Sequence, residues 1–272
     1  MSKLCGVEFV HGVTQLCDVV YVICGWSSAI RRYDAITHQQ LTNIDLNDLR
    51  SPWDIVACEL TSALYVADSE ECVWRVSFDG VDMQRWLTTL ALDTFRPYAL
   101  SVTSSRLLVT SGSDRQLRQF DAAGGDELRR VGLPDYMEPH HAVESPTGTF
   151  IVGHRNPELY QYSCCHDITH LDQYQSQVSE FSTEGQVLRQ FCGPLGGNIR
   201  IAVDSRGNIF VADSGNRSIL LLDAQLALRR VIINKRQLNG RWPRRLCYTE
   251  QSGQLLVGFE KGGVAVFDVL RR

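Results

Sequence analysis

Residues 201–223 read IAVDSRGNIFVADSGNRSILLLD. Aliphatic and β-branched side chains suit the pleated surface of a strand, and the Gly-, Asn- and Asp-rich pieces between them form turns. A few more residues on each side complete the unit. Residues 198–203 form a first strand, Asp204-Ser-Arg-Gly207-Asn208 a hairpin turn, and residues 209–212 a second strand. Asp213-Ser-Gly215-Asn-Arg217 then turns into residues 218–222, and residues 228–233 supply a fourth strand. Gly207 and Gly215 are read as positions needing positive φ. Asp213, like Asp68, ends its strand and is read as a turn residue whose carboxylate accepts backbone N–H groups.

The same order of runs and turns recurs along the chain. Anchored on the second strand, Tyr21, Tyr65, Leu108, Phe150, Phe210 and Leu256 align at spacings of 44, 43, 42, 60 and 46. Six four-stranded copies account for all 272 residues. This predicts an all-β fold, a six-bladed β-propeller of four-stranded antiparallel blades forming a single domain over 1–272. One meander cannot bury both of its faces, whereas radial packing buries them and protects the strand edges. The 60-residue spacing marks an insertion in the fourth blade, a loop over about 156–177, with residues 178–181 as the third strand. The last copy has no room for a proper outer strand; residues 2–5 are a candidate for part of it, as a latch between first and last blades, and either a weak seam or a missing outer strand is expected there.

These motifs resemble the NHL repeat, which runs as an aliphatic strand, Asp-x-x-Gly-Asn-Ile, aromatic-Val-Ala-Asp, a Ser/Gly-Asn-Arg turn and an aliphatic strand ending in Phe-Asp. Residues 201–223 follow it almost throughout; LYVADSEECVWRVSFDG (64–80) and VSEFSTEGQVLRQF (178–191) follow it in part. The first, third and sixth copies depart from it at the Ala-Asp and Asn-Arg positions and align by spacing. The resemblance implies a domain like the C-terminal propeller of tripartite-motif NHL proteins, which bind RNA or protein partners on one face and select substrates for a ubiquitin ligase system. This sequence holds no RING, B-box or coiled-coil segment, so ligase activity is expected from another chain.

In a propeller, the connections between blades and the loops between second and third strands share one face. The connections bring Arg50, Trp53, Arg96, Tyr98, His140, His141, Asn198, Arg200, Trp242, Arg244 and Arg245 to it, and the loops bring Trp26, Arg115, Arg155, Arg217 and Lys261. Guanidinium planes among aromatic rings suit unpaired bases and phosphate, and equally protein hot spots. The expected partner is therefore a protein or single-stranded RNA. The net charge of −4 argues against double-stranded DNA, although it divides unevenly: 13 basic against 25 acidic residues through residue 188, then 14 against 6 in the last 84. Of the 27 basic residues only Lys3, Lys235 and Lys261 are lysine.

No apolar run reaches the roughly 20 residues of a membrane span, and MSKLCGVEFV lacks a signal-peptide layout. A cytoplasmic monomer without a cofactor is expected, its nine cysteines reduced; Cys24, Cys58 and Cys247 read as small core residues. The alternative is a metal-dependent hydrolase or lyase of the gluconolactonase or amidating-lyase type. Zinc needs several imidazoles converging at about 2 Å, yet the positions matching His11 and His140 or His141 in other blades are Trp53, Tyr98, Arg200 and Arg244. The lactonase type would call on Glu8, with no partners identified for it. Cys164, Cys165, His166 and His170 in the insertion have metal-ligating side chains, but vicinal cysteines are awkward ligands of one ion. A non-catalytic interaction module is the expectation.

Overall fold

The computed structural model describes residues 2–3, 9–25, 27–46, 48–68, 72–87, 95–157 and 176–269. They form six four-stranded antiparallel sheets. After β1 (Ser2–Lys3), blade 1 comprises β2 (Val10–Leu16), β3 (Val19–Cys24), β4 (Ala29–Asp34) and β5 (Ile44–Asp45). Blade 2 comprises β6 (Pro52–Cys58), β7 (Ala63–Asp68), β8 (Cys72–Ser77) and β9 (Met83–Leu87), and blade 3 β10 (Ala99–Thr103), β11 (Arg106–Ser111), β12 (Gln116–Asp121) and β13 (Glu127–Gly132). Blade 4 is built from β14 (Glu138–Glu144), β15 (Phe150–Arg155), β16 (Ser176–Phe181) and β17 (Val187–Leu195), and blade 5 from β18 (Ile199–Val203), β19 (Ile209–Asp213), β20 (Ser218–Leu222) and β21 (Leu228–Ile233). Blade 6 holds β22 (Pro243–Thr249), β23 (Gln254–Phe259) and β24 (Val264–Asp268). Its fourth strand is β1, with Ser2 opposite Val266 and Lys3 opposite Ala265, so of the two expectations for the seam the short N-terminal latch is the one observed.

The apolar residues explain why the blades form a ring. They group into six clusters, each wedged between consecutive blades rather than inside one. Tyr21 and Ile23 of blade 1 pack on Ile55, Leu64 and Val66 of blade 2, and Leu256 and Val266 of blade 6 pack on Val10, Val20 and Val22 of blade 1. Each blade thus buries one face against its predecessor and the other against its successor, which removes open sheet faces. The clusters also correct the fourth anchor by one residue. Tyr65, Leu108 and Phe210 face the next blade, and in blade 4 the residue doing so is Ile151, whereas Phe150 faces back toward Leu108. A one-residue step exchanges the two faces of a strand.

The third strand of blade 4 lies where residues 178–181 placed it, extended to Ser176. The rest of the proposed insertion, with Cys164, Cys165, His166 and His170, lies outside the described residues apart from 156, 157, 176 and 177. Among the described residues no helix is long and apolar enough to cross a membrane.

The turn chemistry also departs from expectation. Gly207 has φ +81, but Gly215 is not left-handed; its missing side chain makes room, since a Cβ there would stand 2.6 Å from the carbonyl carbon of Gly196. Asp213 accepts from Asn216 in the following turn (3.0 Å) and from Gly196 in the preceding connection (3.1 Å). Asp68 accepts from Arg50 and Ser51 at 3.2 Å each, and the hydroxyl of Ser111 accepts from Arg96 at 3.4 Å. The end of each of these second strands therefore holds down the connection entering its own blade.

Candidate functional site

Four inner strands carry a bulge at one level: the register shifts between Val10 and Gly12, Pro52 and Asp54, Pro139 and His141, and Pro243 and Arg245. The residues left out of the ladder are His11, Trp53, His140 and Arg244. A bulge re-aims the extra side chain, and here it does so at the channel mouth, next to Tyr98, which immediately precedes β10. His11 stacks on Trp53 with centroids 5.4 Å apart and planes 9° apart, and Trp53 meets Tyr98 at 5.4 Å, tilted by 47°. The Nδ1–H of His11 donates to the Pro52 carbonyl at 2.7 Å, which fixes its tautomer. Beside this aromatic arc lies a groove of about 550 Å3 whose walls include Trp53, Arg96, Tyr98, Arg115 and His140. Arg115 sits in the left-handed region at φ 51, as does Arg217 at φ 54 in the corresponding loop of blade 5.

The residue after each bulge has a different fate. Asp54, His141 and Arg245 re-enter the ladder and are buried in the wall between inner strands. Asp54 accepts the N–H of Leu100 at 3.0 Å through one oxygen and that of Ile55 at 3.0 Å through the other. His141 Nε2–H donates to the Leu100 carbonyl at 3.1 Å, while Nδ1 accepts the N–H of Ile201 at 3.3 Å, so one ring joins blades 3, 4 and 5. Arg245 donates to the Trp53 carbonyl at 2.6 Å and stands 3.3 Å from Asp54. Arg200, 2% exposed, lies over the Tyr98 ring at 4.9 Å.

This wall is positively charged. The Arg200 guanidinium holds the Tyr98 hydroxyl below the usual phenol range against the opposing effect of burial. Burial first, then the charge of Arg200, pushes Arg245 down to about 9. Burial and the same arginine push His140 and His141 down to about 3, so both imidazoles are neutral at physiological pH.

The sixteen residues placed on one face by sequence divide into five groups. Trp53, Arg96, Tyr98, Arg115 and His140 converge on the groove. Arg217 and Trp242 form a second feature, a half-buried guanidinium 4.2 Å from an exposed indole, and Lys261 lies 6.0 Å from Phe9. Arg50 and Asn198 are exposed, and Arg155 and Arg244 half-buried. Arg200, Arg245 and His141 are corrected: they belong to the channel wall, because burial and cross-blade bonds withdraw them from the face. Trp26 lies outside the described residues, as does Glu8. Sequence reasoning missed Asp54, although a lone carboxylate inside the apolar run 52–58 was its signal. Cys24 and Cys58 are buried as expected; Cys247 is half-buried against the apolar cluster between blades 6 and 1, and burial pushes its thiol up to about 11. Among the described residues no three His, Cys, Asp or Glu side chains converge as a metal site would require.

No protein-family profile matches the chain, and no curated protein is significantly similar to it. Solved structures do share the fold. A chain of a nidogen/laminin complex superposes with TM-score 0.67 at 13% identity, covering 96% of this chain and 86% of its own. Hydrazine synthase of Kuenenia stuttgartiensis gives 0.64 at 12%, with 99% and 98% covered, and the WD40 β-propeller domain of Doa1 gives 0.64 at 12%, with 97% and 95% covered. At such identities the likeness shows the propeller fold alone.

Proposed function

We propose that this protein is a non-catalytic propeller module of the NHL type that binds a protein partner on the face bearing the channel mouth. The groove carries the reading: Trp53 and Tyr98 offer apolar area, Pro97 and Pro139 stiffen the walls, and Arg96 and Arg115 add charge at its edge. Aromatic and arginine side chains together are the usual composition of a binding hot spot. A protein is favoured over single-stranded RNA because base stacking needs free ring faces. Here His11 covers one face of Trp53, and Tyr98 lies between Trp53 and Arg200. The NHL assignment rests on residues 201–223 and on the tie from Asp213 to the incoming connection. On that resemblance the module would select substrates for a ligase of the tripartite-motif type. A reducing cytoplasm suits its buried cysteines at Cys24, Cys58 and Cys72.

The test compares proteins cross-linked to the wild type with those cross-linked to an Arg96→Ala, Arg115→Ala variant, alongside titration of a random single-stranded RNA pool at two salt concentrations. The reading expects protein partners to be lost from a variant whose thermal midpoint is unchanged. Partners retained equally by the variant would overturn it. RNA binding that falls steeply with salt and is lost in the variant would replace the protein with RNA as the ligand.

A further inference from the structure

Below the mouth, the channel holds a cavity of about 240 Å3 whose walls include Arg200, Arg245, Asp54 and His141. At about 30 Å3 per water it has room for roughly eight waters, ample for a small polyatomic ion. The donors around it outnumber the protein's acceptors. Arg200 presents Nε and Nη1 without a protein acceptor although it is 2% exposed, and Arg244 above it presents a buried Nε in the same condition. Arg245 satisfies part of its fork through the carbonyls of Trp53 and Arg244, and Asp54 divides its oxygens among Arg245, Ile55 and Leu100. Glu144, which also lines the cavity, is already neutralised by Arg106 at 2.8 Å and accepts from Gln119 at 2.8 Å, so Asp54 is the carboxylate left to offset the three guanidiniums, and Arg245 is the one beside it. Buried donors of this kind call for a partner, and buried like charges for a counter-charge.

We propose that the channel is an oxyanion site, specifically for a phosphate monoester or free phosphate, held by Arg200 and Arg245 of the cavity wall together with Arg244 at the mouth above them. Three arginines and Asp54 sum to +2, which a phosphate carrying about −1.5 to −2 neutralises and a carboxylate leaves half uncompensated. Planar guanidiniums also match phosphate oxygens in pairs, which a point charge does not. Tyr98 lies against Arg200, and neutral His140, whose Nδ1 accepts from Ile199 at 3.3 Å, must carry its proton on Nε2, a further donor at the mouth. The site is distinct from the groove residues Arg96 and Arg115, so each can be disabled alone.

The experiment titrates inorganic phosphate into the full chain, following the thermal midpoint and 31P line width, with acetate and chloride at matched ionic strength. Phosphoserine and a nucleoside 5′-monophosphate form parallel arms that separate amino-acid from nucleotide sources of the same group. Phosphate should raise the midpoint and broaden the line where acetate and chloride do not. Arg200→Gln and Arg244→Gln should each weaken binding about tenfold or more. Arg244 is half-buried, and its Nε has no hydrogen-bond partner among the described residues, so its variant carries the test if Arg200→Gln does not fold. Equal effects of phosphate and chloride, or phosphate binding unchanged in Arg244→Gln, would overturn the proposal.

Discussion

His140 and His141 are the same residue type at adjacent positions, as are Arg244 and Arg245, yet each pair is split between two environments. The first member is bulged out to the channel mouth and half-buried; the second re-enters the strand ladder, is buried, and holds neighbouring blades together. Trp53 and Asp54 repeat the division with unlike residues. One residue of register therefore separates a side chain at the channel mouth from one that supports the ring, and chemical type alone does not predict which is which.

Exchanging the members tests that division most severely at the arginines. Arg245→Met should cost about 3–5 kcal/mol in urea denaturation, because it leaves Asp54 buried without its cation, whereas Arg244→Met should cost under about 1 kcal/mol. Similar losses in the two variants would break the comparison.

Acid should reveal the histidine pair. His141 titrates near 6.5 when unfolded and is pushed down to about 3 by burial when folded, so below pH 6.5 the unfolded chain binds the proton first. Its contribution is complete above about pH 6.5 and is lost progressively as pH falls toward 3, amounting to about 2 kcal/mol at pH 5. His140, also at about 3, adds a similar slope. His141→Gln should therefore lose about 2 kcal/mol less than the wild type between pH 7 and 5, while at pH 7 it should be less stable than His140→Gln, because it removes two cross-blade bonds where His140→Gln removes one. Parallel pH curves for the wild type and His141→Gln would contradict this account.

The mouth itself should be cheap to alter. Trp53→Leu removes the ring shared with His11 and Tyr98 and should cost about 1 kcal/mol by calorimetry, near the worth of such aromatic contacts. Smallest of all, Arg96→Ala should change stability by less than about 0.5 kcal/mol, as expected for an exposed side chain. A large loss at Arg96 would move that arginine from the binding face to the scaffold.

Much of the scaffold was legible because it repeats. Strand 199–203, the turn at Gly207 and strands 209–213, 218–222 and 228–233 lie within a residue or two of their sequence reading, since turn chemistry and aliphatic runs act locally. The latch at Ser2 and Lys3 followed from counting strands in the last copy. Face-level reading went wrong where burial depended on another blade: Phe150 was taken for Ile151, and Gly215 for a left-handed turn rather than a place where Gly196 comes close. Asp54 escaped notice because the groups that give it meaning, Leu100 and Arg245, are 46 and 191 residues away.

By itself, then, the sequence determined the architecture: six copies, each with two apolar faces, can bury them only by closing a ring. Tertiary structure alone decided which arginines and histidines reach the channel mouth and which are buried in its wall. That choice depends on a one-residue bulge at the start of four inner strands and on charges from other blades, and neither leaves a local trace in the residues it governs.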